Sequence, residues 1–383
     1  MNADESELYF EREQSQIKHQ VLAKYLERFA RIVGKWSKGL IYVDAFSGPW
    51  NSVSSDLRDS SFAIALQQLR SARSTVEESY GKKLPITCIF FETNLDAFQQ
   101  LDAFAKAQTD VEVIAINQPF ESAVPELVRL IKSKQPGHFP FVLIDNKGWT
   151  GFAMDVIAPL VQIQPCEVLV NFMTGFIQRF IDDERDGLKA SFRKLYGDDS
   201  YERRIDGLQG RDREDAIVFA YADRLKQVGK YPFVSTALIL QPTRDRTHFH
   251  LIYATRDLKG IEVFKNAERK ALKLSETVRA DAKRRERESV SGQKELFSGT
   301  DLPDTQHLAT LQVHFENLAA NALTALTKNS RDVRYDDLLA TALYYPTVQE
   351  SFLRRWISER GEVIGLAKKQ VPKIKQGHVV TFR

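Results

Sequence analysis

The sequence predicts an α/β fold: a seven-stranded sheet of five parallel strands closed by an antiparallel pair, with a small α+β unit at the C-terminus. Five short apolar runs, "LIYVDAF", "ITCIFFE", "VEVIAIN", "FPFVLID" and "CEVLVNF", are separated by segments of helical patterning such as 61–70 and 121–133. Continuous β-branched and aromatic runs that alternate with helices mark parallel strands covered on both faces. Two further runs, "FVSTALILQPT" and "HFHLIYAT", lie too close together for a crossover helix and must pair antiparallel.

Ahead of the strands, Ile17, Val21, Leu22, Tyr25, Leu26, Phe29 and Ile32 recur at helical spacing, so one amphipathic helix leads into the sheet. Seven strands so arranged form the class I methyltransferase Rossmann-like sheet rather than the six-stranded dinucleotide fold. From about residue 265 the chain becomes rich in charge and poor in large apolar residues, which reads as an exposed helix running into a linker. Beyond it, a helix around 309–327, "YDDLLATAL", "TVQESFLRRWISER" and the strand-like "HVVTFR" read as a winged helix-turn-helix. The expected division is a methyltransferase-like domain over 1–272, a charged helix and linker over 273–307, and a winged-helix-like basic domain over 308–383.

Composition sets the outer limits. With 383 residues, 43% apolar and 27% charged, the chain can bury a large core. Lys and Arg exceed Asp and Glu by only 54 to 51, so net charge alone implies no nucleic-acid partner. Cys88 and Cys166 each sit in an apolar run, as buried thiols of a reducing cytoplasm do. The opening "MNADESELYF" is acidic, and no run approaches the roughly 18 apolar residues of a membrane span. A cytoplasmic protein without a membrane partner is expected.

In a doubly wound sheet the ligand lies beyond the carboxyl ends of the strands. The first strand ends in Asp44 and the small-residue turn "AFSGP", where backbone N–H groups can approach a ligand. The second ends at Glu92, and one carboxylate can accept from both vicinal hydroxyls of a ribose. The third ends in Asn117 and Gln118, amides suited to an adenine edge. The fourth and fifth end in "LIDNKGW" and "LVNFM". Five polar endings after apolar runs point to a nucleoside-type cofactor. The phosphate-binding loops G-x-x-x-x-G-K-[ST] and G-x-G-x-x-G are missing, so a ribose and base without phosphates fit best, and S-adenosylmethionine is such a ligand. The histidines are dispersed, and no metal site is expected.

These motifs, with "KHQVLAKYL", "YVDAFSGPW", "LIDNKGWTG", "EVLVNFMTGFIQRF" and "HLIYATRDLKGIEVFKNA" in that order, resemble the three-Cys-motif partner protein family from about Lys18 to about Leu272. The resemblance implies S-adenosylmethionine binding by Asp44, Phe46, Ser47, Gly48 and Pro49, with Glu92 on the ribose and Asn117 near the base. It implies a protein with three cysteines, of metallocluster type, as partner. Lys18 and His19 open the first helix either as a lid over the cofactor or as plain capping residues. Two positions depart from the family pattern: Trp50 replaces glycine, and Asn146 replaces the proline of D-P-x-G, which is expected to loosen the loop that aims at a target amine. In that loop Asp145 can accept from an amine, Trp149 either stacks on a planar base or packs in the interior, and Lys147 either steers an anionic substrate or is a solvated loop lysine.

Residues 354–383 carry eight Lys or Arg against two acids, a patch fit for phosphate contacts. Two functions follow as expectations. One is a methyltransferase acting on a nucleic-acid base amine, with the basic C-terminal domain docking DNA or RNA. The other is a non-catalytic binding subunit of the same fold that serves a three-cysteine partner.

Overall fold

The computed structural model describes residues 8–48, 52–363 and 374–382. Helix α1 (Glu13–Gly34) buries Ile17, Val21, Leu22, Tyr25, Leu26 and Phe29 along one stripe. It feeds β1 (Gly39–Asp44), after which α2 (Ser61–Tyr80), β2 (Ile86–Phe91), α3 (Leu95–Lys106), β3 (Glu112–Ile116), α4 (Phe120–Lys134) and β4 (His138–Ile144) alternate. Then come α5 (Met154–Val161), β5 (Glu167–Phe172), and four helices, α6 (Thr174–Phe180), α7 (Asp186–Tyr196), α8 (Ser200–Ile205) and α9 (Gly210–Gly229). The antiparallel pair is β6 (Phe233–Leu240) and β7 (Thr247–Thr255).

The strand order is β3-β2-β1-β4-β5-β7-β6. Strands β1 to β5 are parallel, and β7 runs antiparallel to both β5 and β6. This is the class I methyltransferase fold, as the strand runs predicted. Every residue of β1, β2 and β5 is buried, because helices cover both faces, whereas β3 at the edge is only partly covered. Strand order reverses direction between β1 and β4, so the crevice at their carboxyl ends is the topological switch point.

One expectation is corrected in α10 (Leu258–Ser291). The segment read as an exposed helix is a continuous helix of 34 residues that buries Ala271, Ser275, Val278, Arg279 and Ala282. Small residues let it lie close to its neighbours, and the buried charge of Arg279 is paired with Asp245 and Asp304, at 2.9 Å for the latter. The expected division after residue 272 falls within this helix.

The remaining elements are α11 (Gln306–Asn329), β8 (Asp332–Arg334), α12 (Tyr335–Leu343), α13 (Glu350–Arg360), β9 (Gly361–Val363) and β10 (Val379–Phe382). They form a second, antiparallel sheet in the order β8-β10-β9. This unit docks on β6: Ser235 Oγ donates to Leu343 O at 2.6 Å and Thr236 N to Tyr344 O at 3.0 Å. The buried Lys265–Glu268 pair completes the junction, with Lys265 Nζ donating to Thr236 O at 2.9 Å and to Tyr345 O at 2.5 Å. An edge strand that would otherwise expose its backbone is thereby covered. Of the basic patch, Lys368, Lys369, Lys373 and Arg383 lie outside the described residues, and Arg354, Arg355 and Arg360 pair with Glu350, Glu316 and Glu359.

Candidate functional site

The turn after β1 is held from within. Asp44 is fully buried and accepts from Phe46 N at 3.2 Å and from Ser61 Oγ at 2.8 Å. Burial, then the charge of nearby Asp145, pushes its carboxyl up to about 6. Ser47 Oγ donates to Asp44 O at 2.8 Å, and Ser47 N donates to Phe91 O at 2.8 Å, which ties the turn to β2. Phe46 packs against Gly151 in the β4 loop. Gly151 has φ +90°, and a Cβ there would come within 3.1 Å of the Phe46 ring, so glycine is required twice over. Gly48 continues the turn, and Pro49 and Trp50 lie outside the described residues.

At the end of β2, Glu92 is buried and its Oε1 accepts from Asn94 N at 2.6 Å. Asn94 caps α3 by accepting from Ala97 N at 3.0 Å, so this carboxylate sits at a fixed strand-to-helix exit. Asn117 is exposed and donates through Nδ2 to Glu92 O at 2.8 Å and to Thr93 O at 3.4 Å. Its N–H groups therefore secure the β2 exit, while Gln118 is exposed beside it.

Asp145, directly after β4, is the most constrained group of the site. Its Oδ2 accepts from Lys18 Nζ at 2.6 Å and its Oδ1 from Asn171 Nδ2 at 2.7 Å. Burial pushes this carboxyl up, but the Lys18 charge and the bonds from Lys18 and Asn171 outweigh it and hold the pKa below the usual carboxylate value. Asn171, on β5, is 3% exposed, and its Oδ1 has no donor among the described residues. Lys147 is exposed on the loop, within electrostatic reach of Glu92 and Asp145.

Asn146 corrects a second expectation. Rather than loosening the loop, its buried side chain closes it: Oδ1 accepts from Gly148 N at 2.8 Å and Nδ2 donates to Thr150 O. An amide makes through hydrogen bonds the constraint that proline would have made through its ring. Trp149 is brought near, and its partly buried ring packs among aromatic neighbours. Its ring lies 5.1 Å from Phe192 at 21° and 5.4 Å from Phe180, and its Nε1 donates to Ser191 Oγ at 3.0 Å.

Sequence reasoning placed Lys18 in a motif but did not find its partner. Only the fold brings α1 across the ends of β4 and β5. His19, next to it, is buried against Tyr9, with Nδ1 2.9 Å from Tyr9 Oη, and burial followed by the Lys18 charge lowers its pKa to about 3. Neither residue caps the helix, since α1 begins five residues before Lys18 at Glu13; Lys18 reaches Asp145, and His19 packs on Tyr9. Asn171 counts among the five polar strand endings, but the sequence assigns it no role, because its partner Asp145 lies on a different strand end and only the fold brings the two together.

No family model and no curated protein matches the chain. Solved structures that resemble it include a Legionella pneumophila protein assigned to DUF519, at 10% identity and TM-score 0.34 over 62% of this chain and 84% of that one. An O-methyltransferase from Bacillus cereus in complex with SAH resembles it at 9% identity and TM-score 0.29 over 61% and 80%. The Streptomyces achromogenes O-methyltransferase TomG, in complex with SAM, does so at 14% and 0.30 over 61% and 79%. Likeness at this level carries no functional argument, and the fold rests on the chain's own strand order.

Proposed function

We propose that the chain is an S-adenosylmethionine-dependent methyltransferase acting on a nucleic-acid base amine. The observation that carries this reading is the juxtaposition of Asp145 with Asn171, whose buried Oδ1 lacks a donor among the described residues. A carboxylate beside an unmet amide oxygen recruits N–H groups, and a cofactor α-ammonium or a target amine supplies them. The other residues fit the same cofactor. On this reading Glu92 would offer a carboxylate to ribose hydroxyls, Asn117 and Gln118 would meet an adenine edge, and the turn from Asp44 to Gly48 would hold the methionine part. Lys18 and Asp145 provide the opposite charges that an α-carboxylate and an α-ammonium need.

When bound, the cofactor supplies a methyl group on a sulfonium, so the acceptor needs a nucleophilic nitrogen held in line. Asp145, with its lowered pKa, orients an amine by accepting its N–H rather than by removing its proton. The Lys18 ammonium stands at Oδ2, where such an amine would bind, so acceptor entry requires Lys18 to move aside. That same contact favours the second reading, a non-catalytic subunit of this fold that serves a three-cysteine partner, as the family resemblance implies.

The C-terminal unit supports a nucleic-acid partner. Its order of helix, strand, helix, helix, strand, strand, with the sheet β8-β10-β9, supports reading it as a winged helix. A base amine would have to leave its stack to reach Asp145. Free, buried Cys88 and Cys166 accord with a cytoplasmic setting.

The test is transfer of labelled methyl from S-adenosylmethionine to DNA, RNA and protein extracts. Label in nucleic acid that disappears with Asp145→Ala supports base methylation. Absence of label in every fraction from a protein that binds the cofactor leaves the non-catalytic reading.

A further inference from the structure

A second cleft lies at the opposite end of the sheet, where β5 begins and β7 ends. It has a volume of about 230 Å³, with the rings of Tyr25, Phe29, Trp36 and Phe139 in its walls and Glu167 and Thr255 at its polar end. Glu167 is 4% exposed. Its Oε1 accepts from Thr255 Oγ1 at 2.8 Å and its Oε2 from Tyr25 Oη. Both partners are hydroxyls, and among the described residues no Lys, Arg or His pairs with this acid.

The cations at the rim are engaged elsewhere. Arg256 donates to Cys166 O at 3.1 Å, Val161 O at 3.2 Å and Gly229 O at 2.6 Å, and its guanidinium lies 4.2 Å from the Tyr231 ring centre. Lys259 pairs with Glu262 at 2.5 Å. Asp257 accepts from Lys259 N at 2.9 Å and so caps α10. Room for the acid is kept by Gly260, where a Cβ would lie 2.4 Å from Tyr253 Oη and 3.1 Å from Glu167 Oε1.

A buried acid without a counter-ion, in a cleft walled by aromatic rings, has the two features that select an organic cation. The ring faces attract positive charge, and the carboxylate gains a partner in place of the water it lost. We propose that this cleft binds an organic ammonium ion with an apolar body, its ammonium directed to Glu167 and its body among Tyr25, Phe29, Trp36 and Phe139. The site is independent of the cofactor site, which lies at the other end of the strands.

Calorimetric titration at pH 8 with phenethylamine, and with 2-phenylethanol as its uncharged counterpart, tests the assignment. The amine is expected to bind at least tenfold more tightly than the alcohol, and Glu167→Gln is expected to abolish the difference. Trp36 is 61% exposed, so Trp36→Ala keeps the fold and should weaken the amine severalfold. Equal affinities for amine and alcohol in the unaltered protein, or no effect of Trp36→Ala on the amine, would overturn the proposal even if Glu167→Gln failed to fold.

Discussion

Lys18 Nζ lies 2.6 Å from Asp145 Oδ2, so a helix that precedes the sheet neutralises the acid that closes its fourth strand. The side chains are 17% and 9% exposed, which places the pair largely out of solvent. Removing one partner from such a pair leaves an uncompensated buried charge. Lys18→Met is therefore expected to lower stability at pH 7 by about 3 kcal/mol in urea denaturation, and Lys18→Met combined with Asp145→Asn to regain most of it. The sign with pH follows from the lowered pKa of Asp145. Its contribution is present at neutral pH and is lost as pH falls through the depressed folded value. The single variant reverses this limb and gains stability on acidification, because its unpaired acid prefers to be neutral.

Asn146→Pro is expected to weaken the protein, not to activate it. The substitution deletes the acceptor for Gly148 N and the donor to Thr150 O, and it restricts Asp145 as the residue before proline. A loss of about 2 kcal/mol in denaturant unfolding is the expected result, from one deleted buried hydrogen-bond pair and one unmet donor. An unchanged midpoint would show that the amide does not hold the loop.

The sheet was legible because its strands speak through composition. Runs such as "ITCIFFE" are apolar throughout, since both faces are covered, and short polar spacers admit only hairpins. The acids Asp44, Glu92 and Asp145 were legible for a related reason: a charged residue that ends a buried run must face the strand end. What one sequence does not carry is tertiary pairing. The contact of Lys18 with Asp145 spans 127 residues, and the packing of Trp149 on Phe192 depends on where α7 returns. The helix α10 was misread for a similar reason. Arg279 looks like a surface charge in sequence, and Asp245 and Asp304, together with the carbonyls of Gln241 and Arg244, make its burial tolerable.

Glu167 gives the chain an alkaline limb of stability. Burial, the larger effect, pushes its carboxyl up to about 7, against the hydrogen bonds from Tyr25 and Thr255. A raised carboxylate contributes stability that is full below its unfolded value and is lost as pH rises through the folded one. Between pH 6 and pH 8 this single group should cost about 1.4 kcal/mol of unfolding free energy. Glu167→Gln should flatten that stretch of the profile, as read by thermal or urea unfolding at each pH. A profile as steep in the variant as in the parent would assign the limb to another group.

The most direct test of a cofactor site at the carboxyl ends of the strands is calorimetric titration of the purified protein with S-adenosylmethionine. One equivalent is expected to bind with measurable heat, and Glu92→Ala is expected to weaken it at least tenfold, about 1.4 kcal/mol, through loss of the ribose carboxylate. No heat with the unaltered protein, or equal affinity in Glu92→Ala, would contradict the assignment of this crevice to the cofactor.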